Sequence, residues 1–126
     1  MIVLADSSVW VDHFKRPNEH LELLLADGNI LCHPYIVGEV SCGTPPRRRA
    51  FIDFLSNLEA LPIATHQEVL ATIEAHQLFG RGCGYVDISL LSSILISERA
   101  LIWTFDKPLE KVAATLGKAY KRKLQS

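Results

Sequence analysis

Short apolar runs alternate along the chain with stretches in which apolar residues recur at helical spacing. Ile2 to Ala5 is rich in branched residues and reads as a buried strand. Ser7 to Phe14 fits a short helix. Pro17 suits the first turn of the next one, with Leu21, Leu24 and Leu25 on one face and Gly28 as its stop. Ile30 to His33 reads as a second strand. Pro34 then opens a helix to about Cys42, closed by Gly43 and the pair Pro45-Pro46. Phe51, Phe54, Leu55 and Leu58 follow the i, i+3, i+4, i+7 spacing of a helix with one buried face. Leu61 to Ala64 is a short third strand that contains Pro62. Thr65 and Glu68 form a capping-box pattern ahead of a helix to about Phe79. After the glycine-punctuated segment Gly80 to Gly84, Asp87 opens a largely apolar helix to about Arg99, which has to be covered on several sides. Leu101 to Thr104 is a fourth strand. Pro108, Leu109, Val112, Ala113 and Leu116 make a closing amphipathic helix that stops at Gly117.

Strands separated by helices require crossover connections, hence an α/β fold with a mostly parallel sheet between helices. No internal repeat, low-complexity tract or linker interrupts the pattern, so residues 1–126 read as one domain. The 48% hydrophobic and 21% charged content is that of a globular chain with a real core. A net charge of -1 excludes coating of nucleic acid by bulk electrostatics and leaves only local patches. The longest apolar stretch, around Ile88 to Ile96, is too short to span a bilayer. Met1 leads straight into an apolar strand followed by Asp6, unlike a signal peptide, and three cysteines cannot all pair within one chain. The expected compartment is the cytoplasm, with no membrane association.

In doubly wound folds, sites form outside the carboxyl ends of the strands. Asp6 follows the first strand and Asp106 follows the last, so parallel strands place both carboxylates at one sheet edge. Asp87 starts the apolar helix leading into the last strand. Glu39 lies in mid-helix within Tyr35-Ile36-Val37-Gly38-Glu39-Val40. Each acid also has an ordinary reading. An Asp at a helix start caps the first turn, contributing roughly 1 kcal/mol, and Glu39 can point to solvent. Convergence would make the carboxylates repel and raise one another's pKa, a conflict that hard divalent cations resolve. Two such ions can clamp the attacking and leaving oxygens of a phosphodiester without a covalent nucleophile.

Four segments carry a family resemblance. Ala5-Asp6-Ser7-Ser8-Val9-Trp10-Val11-Asp12 offers an acid followed by small hydroxyl residues, and Val37-Gly38-Glu39-Val40 a helical glutamate. Gly84-Tyr85-Val86-Asp87 is followed by Leu90-Leu91-Ser92-Ser93, and Leu101-Ile102-Trp103-Thr104-Phe105-Asp106-Lys107 is an apolar strand ending in Thr-x-Asp. In order and spacing, over nearly the whole chain, the set resembles the PIN-domain family, and within it the VapC-type toxins of toxin–antitoxin pairs. The resemblance implies a three-layer α/β/α fold and a metal-dependent endoribonuclease using Mg²⁺ or Mn²⁺. It maps Asp6, Glu39, Asp87 and Asp106 onto the acidic metal site, and gives Ser7 or Ser8 and Thr104 the task of orienting carboxylates or a water. It implies a structured RNA substrate, often transfer RNA, and a cognate antitoxin; a homodimer is the expected assembly, which the sequence itself does not decide. Some relatives carry another acid shortly after the fourth motif; here Pro108 follows Lys107 and the nearest acid is Glu110.

Arg47, Arg48 and Arg49 could grip RNA phosphates or sit in a solvated loop, and the tail residues Lys118, Lys121, Arg122 and Lys123 are open to the same two readings. Gly80-Arg81-Gly82-Cys83-Gly84 lacks the lysine and hydroxyl of a phosphate loop and reads as a connector. Cys32-His33 and Cys42 lack zinc-ligand spacing, and Trp10 and Trp103 read as core or interface. Two other functions compete with the nuclease. A receiver-like phosphoacceptor domain shares the size, the fold class and Lys107-Pro108, but wants adjacent acids after its first strand, where this chain has Ser7-Ser8. A catalytically inactive PIN-like binding module would have no need of all four acids.

Overall fold

The computed structural model describes residues 1–121; Arg122 and Lys123 lie outside that range. Its elements are β1 (Val3–Ala5), α1 (Ser7–Lys15), α2 (Glu19–Ala26), β2 (Ile30–Leu31), α3 (Pro34–Ser41), α4 (Arg48–Asn57), α5 (His66–His76), α6 (Tyr85–Ser97), β3 (Leu101–Trp103) and α7 (Lys107–Thr115). The three strands form a parallel sheet in the order β2-β1-β3. Val3 and Leu4 face Ile30 and Leu31 on one side, and Val3, Leu4 and Ala5 face Leu101, Ile102 and Trp103 on the other.

Consecutive strand residues point to opposite faces of a sheet. Val3, Leu4 and Ala5 are all fully buried, so both faces of β1 are covered and the architecture is a layered α/β sandwich. One core cluster gathers these strands with Trp10, Leu21, Ile36, Leu55, Val69, Leu91 and Leu109 from the surrounding helices. Trp10 is wholly inside, against Phe51 and Phe54, and Trp103 is nearly so, which places both in the core. Helix α6 is buried without a break from Ile88 to Ile94. Its serines cost little there, because Ser89 and Ser92 donate to the carbonyls of Tyr85 and Ile88 one turn back.

Three sequence expectations are corrected. Leu61 to Ala64 is not a strand. The backbone meets the sheet at one bridge, Cys32 with Ala60, and Leu61 donates to the Cys32 carbonyl. Pro62 has no N–H with which to extend the ladder. Pro17 precedes α2 rather than entering it, because the Asn18 side chain accepts from Leu21 N–H and caps the helix. Helix α6 begins at Tyr85, two residues before Asp87. The opposite sheet edge gains an unforeseen bridge, Ile102 with Ala119, held by Tyr120 N–H donating to the Ile102 carbonyl.

His33, fully buried at the N-cap of α3, ties α3 to α6. Its Nδ1 accepts from Tyr35 N–H at 3.0 Å, so the ring proton belongs on Nε2, which lies 3.0 Å from Ser93 Oγ. Burial lowers its pKa from 6.5 to about 4. The unfolded chain therefore binds the proton first on acidification, and this stability is lost as pH falls from about 6.5 to about 4, amounting to roughly 3 kcal/mol. His33→Asn keeps a cap acceptor for Tyr35 and removes the titration. Urea melts across this window should show the wild-type loss and a flatter profile in the variant, whatever its stability at neutral pH. Parallel profiles would show that His33 does not titrate with unfolding.

Candidate active site

The sheet's carboxyl edge carries the acids because two strands end in helix caps. Asp6 leaves β1 in extended backbone and caps α1. Its Oδ1 accepts from Ser8 N–H at 3.0 Å, Val9 N–H at 3.3 Å and the Ser8 hydroxyl, while Oδ2 accepts from Thr104 Oγ1. Asp106, just past β3, caps α7 through Oδ2, which accepts from Leu109 N–H at 3.0 Å. Thr104 stitches the two strand ends together, since its hydroxyl also accepts from Asp106 N–H at 3.0 Å. Ser8 does the same from α1 by accepting from Phe105 N–H at 3.0 Å. The capping reading of Asp6 and Asp106 is thus correct, and it is also what aims them.

The other two acids come from within helices rather than from strand ends, Asp87 as a first-turn capping residue and Glu39 from mid-helix. Asp87 sits in the first turn of α6 and reaches back so that Oδ2 accepts from Gly84 N–H at 3.3 Å. Gly82, with a φ of +83°, lets the preceding loop lie against the start of α7: a Cβ there would stand 3.1 Å from Pro108 Cβ. That approach puts the starts of α6 and α7 side by side. Glu39 is exposed, but its Oε1 accepts from Ser7 Oγ at 3.0 Å, which directs it toward α1.

Electrostatics ties the four together. Burial raises the pKa of Asp6 above the ordinary carboxylate value, against the opposing donors of Ser8 and Thr104. Burial also raises Glu39, and the charges of Asp87 and Asp6 add to it. Asp87 is raised by burial and then by Asp106 and Asp6. Cys83, half-buried in the adjoining loop, has its thiol pushed up by burial and by Asp87 and Asp106. The acids are therefore near enough to repel, yet among the described residues no three His, Cys, Asp or Glu side chains form a ready-made metal cage.

No family model matches the chain. Ribonuclease VapC32 of Mycobacterium tuberculosis, in strain CDC 1551 / Oshkosh and in strain ATCC 25618 / H37Rv, is 38% identical over 118 residues, 94% of this chain and 95% of that protein. The chain belongs to the VapC-type branch of the PIN-domain family. Membership displaces the receiver-like reading.

In this VapC chain the remaining candidates differ in what they touch. Arg48 is engaged in the fold, its guanidinium donating to the carbonyls of Ser41 at 2.6 Å and Gly43 at 3.2 Å, where α3 ends. Arg47 adopts a left-handed φ of 53° at the start of α4, and Arg47 and Arg49 are exposed. Glu110 lies in the first turn of α7, half-buried. The three cysteines are free, and the buried Cys32 thiol is pushed up to about 11. Among the described residues no helix is long and apolar enough to cross a membrane. Two residues of the surroundings that sequence reasoning passed over, Lys15 and Phe105, line a cleft beside Ser7 and Ser8. An aromatic residue between Thr104 and Asp106 was the available sequence signal, and the structure leaves its ring half-exposed.

Proposed function

We propose that this VapC chain is a Mg²⁺- or Mn²⁺-dependent endoribonuclease that hydrolyses phosphodiester bonds in structured RNA such as transfer RNA. It acts as the toxin of a toxin–antitoxin pair, restrained by a cognate antitoxin, as a single-domain, cytoplasmic homodimer. The observation that carries this reading is the buried carboxylate of Asp6, oriented by Ser8 and Thr104, with Glu39 raised by burial and by the charges of Asp87 and Asp6, and Asp87 by burial and by those of Asp106 and Asp6. Such mutual repulsion calls for a cation, and the donor set is all oxygen.

The fit is to a hydrated ion. Mg²⁺ keeps several waters and is held through one or two carboxylates together with substrate phosphate oxygens, so it does not need a protein cage. Glu39, Asp87 and Asp106 each keep one carboxylate oxygen without a hydrogen bond among the described residues, leaving it available as a ligand. Bound there, the metal would polarise the phosphoryl oxygen and acidify a water for in-line attack. The chain's own residues prepare the site. Asp6 is held in one orientation by its four donors, Ser7 steers Glu39, and Thr104 keeps the Asp6 and Asp106 strand ends in register. With all four acids present, an inactive module is the weaker reading.

The test is incubation of purified, antitoxin-free protein with total RNA, with Mg²⁺ or Mn²⁺ and with EDTA, followed by mapping of new ends. Discrete cleavage in metal that falls to background in EDTA is expected. Undiminished cleavage in EDTA by protein free of contaminating nuclease would exclude the mechanism.

A further inference from the structure

An open cleft of about 430 Å³ lies beside the acids, lined by Ser7, Ser8, Val11, Asp12, Lys15 and Phe105. Phe105 is 50% exposed although its backbone is anchored to α1. Its N–H donates to Ser8 Oγ, and its neighbours Thr104 and Asp106 are joined through the Thr104 hydroxyl. The ring stands edge-on to the buried Trp103, with centroids 6.0 Å apart and planes at 81°. The ring therefore offers water-accessible aromatic surface to the cleft from a backbone that is held in place. Lys15, at the end of α1, makes no ion pair among the described residues.

We propose that Phe105 is the stacking platform for a base next to the scissile phosphate, with Lys15 contacting the backbone phosphate of the same substrate. This assignment deepens the ribonuclease reading and rests on it. The chemistry of the cleft selects a nucleotide over a protein segment. It presents one aromatic ring, one cation, two hydroxyls and one carboxyl group, which complement a base, a phosphate and the hydroxyls of a ribose. A docking helix requires a contiguous apolar stripe, and that character belongs to the neighbouring groove around Phe14, Val40, Pro45 and Pro46. Stacking reads any base's π-face, so Phe105 should contribute affinity and positioning with little base identity.

The test is a double cycle on a short RNA spanning a cleavage site mapped in total RNA, with an abasic ribose placed in turn on either side of that site. Wild type should lose about tenfold in kcat/KM on one of the two abasic RNAs. Phe105→Ala should lose about tenfold on intact RNA, mainly through KM, and almost nothing further on that abasic RNA, because the two changes remove one contact. Phe105→Tyr should keep wild-type behaviour, which separates stacking from a disturbed backbone. Lys15→Gln should lose activity on intact RNA and still suffer the full abasic penalty, with a salt dependence shallower by roughly 0.7. A combined loss near a hundredfold for Phe105→Ala on abasic RNA, or no loss on intact RNA, would overturn the assignment. So would a Phe105→Ala protein impaired only in antitoxin binding. In those cases wild type still cuts RNA, whereas absence of any wild-type cleavage would remove the ribonuclease reading itself.

Discussion

Asp6→Asn should lower RNA cleavage by about a thousandfold, equivalent to ~4 kcal/mol of transition-state stabilisation, while the metal-free protein melts within a few degrees of wild type. The two halves of this expectation come from different atoms of one side chain. Capping uses Oδ1, which accepts from Ser8 and Val9 N–H, and an asparagine oxygen does this equally well. The amide nitrogen then faces Thr104, whose hydroxyl can turn its proton toward Ser8 Oγ, 3.4 Å away. Loss of the charge removes a desolvated carboxylate, which offsets part of the cost of that rearrangement. Catalysis has no such compensation, because a neutral amide neither balances a divalent cation nor supplies an anionic ligand. Cleavage rates and melting curves on the same preparation check both halves, and growth arrest on expression without antitoxin should disappear with the activity. Wild-type cleavage by folded Asp6→Asn would move the chemistry away from β1.

The legible parts of this architecture were those set by local rules. An apolar run ending in Asp predicted both a strand and a capped helix for Asp6 and for Asp106, and a parallel sheet then placed them at one edge. The Thr65–Glu68 capping box also forms as read, with reciprocal bonds of 3.1 and 2.8 Å. What sequence could not supply depended on partners far along the chain. Whether Leu61 to Ala64 paired with the sheet turned on one missing N–H at Pro62 and on where Cys32 lay. The bond from Ser7 to Glu39 spans 32 residues and the one from Thr104 to Asp6 spans 98, and nothing in either local pattern announces them. His33 was similarly silent, since its partner Ser93 lies in an apolar helix that would otherwise pass as uniform core. Arg48 shows the converse: a triplet of arginines looks alike in sequence, but only tertiary placement reveals which one closes the end of α3.

Glu39→Gln should separate repulsion from ligation. In the metal-free protein, Glu39 carries a raised pKa from burial and from the charges of Asp87 and Asp6. Raised carboxylate pKa values mean that the folded state binds protons more readily than the unfolded chain. Their contribution to stability is therefore greatest below the unfolded value and declines as pH rises through the raised one. At neutral pH the charged form is the less favourable one, so the neutral amide should leave the metal-free fold as stable as wild type or slightly more so. Glutamine can still accept from Ser7 Oγ, which preserves the side chain's direction. Mg²⁺ reverses the comparison. Ligand binding to the folded state alone stabilises it by RT ln(1 + [L]/Kd), about 2.7 kcal/mol at a hundredfold excess over Kd. The variant has one charge fewer and a weaker oxygen ligand, so the same Mg²⁺ concentration should raise its melting temperature less, and its cleavage rate should fall by one to two orders of magnitude, roughly 1.4–2.7 kcal/mol. Melting curves with and without Mg²⁺, paired with cleavage rates, read all three effects. A wild-type metal response together with wild-type cleavage would take Glu39 out of the site and leave its bond to Ser7 as a surface contact. A diminished metal response with the metal-free stability preserved would place its charge at the ion, an effect that a solvent-facing glutamate remote from the site could not produce.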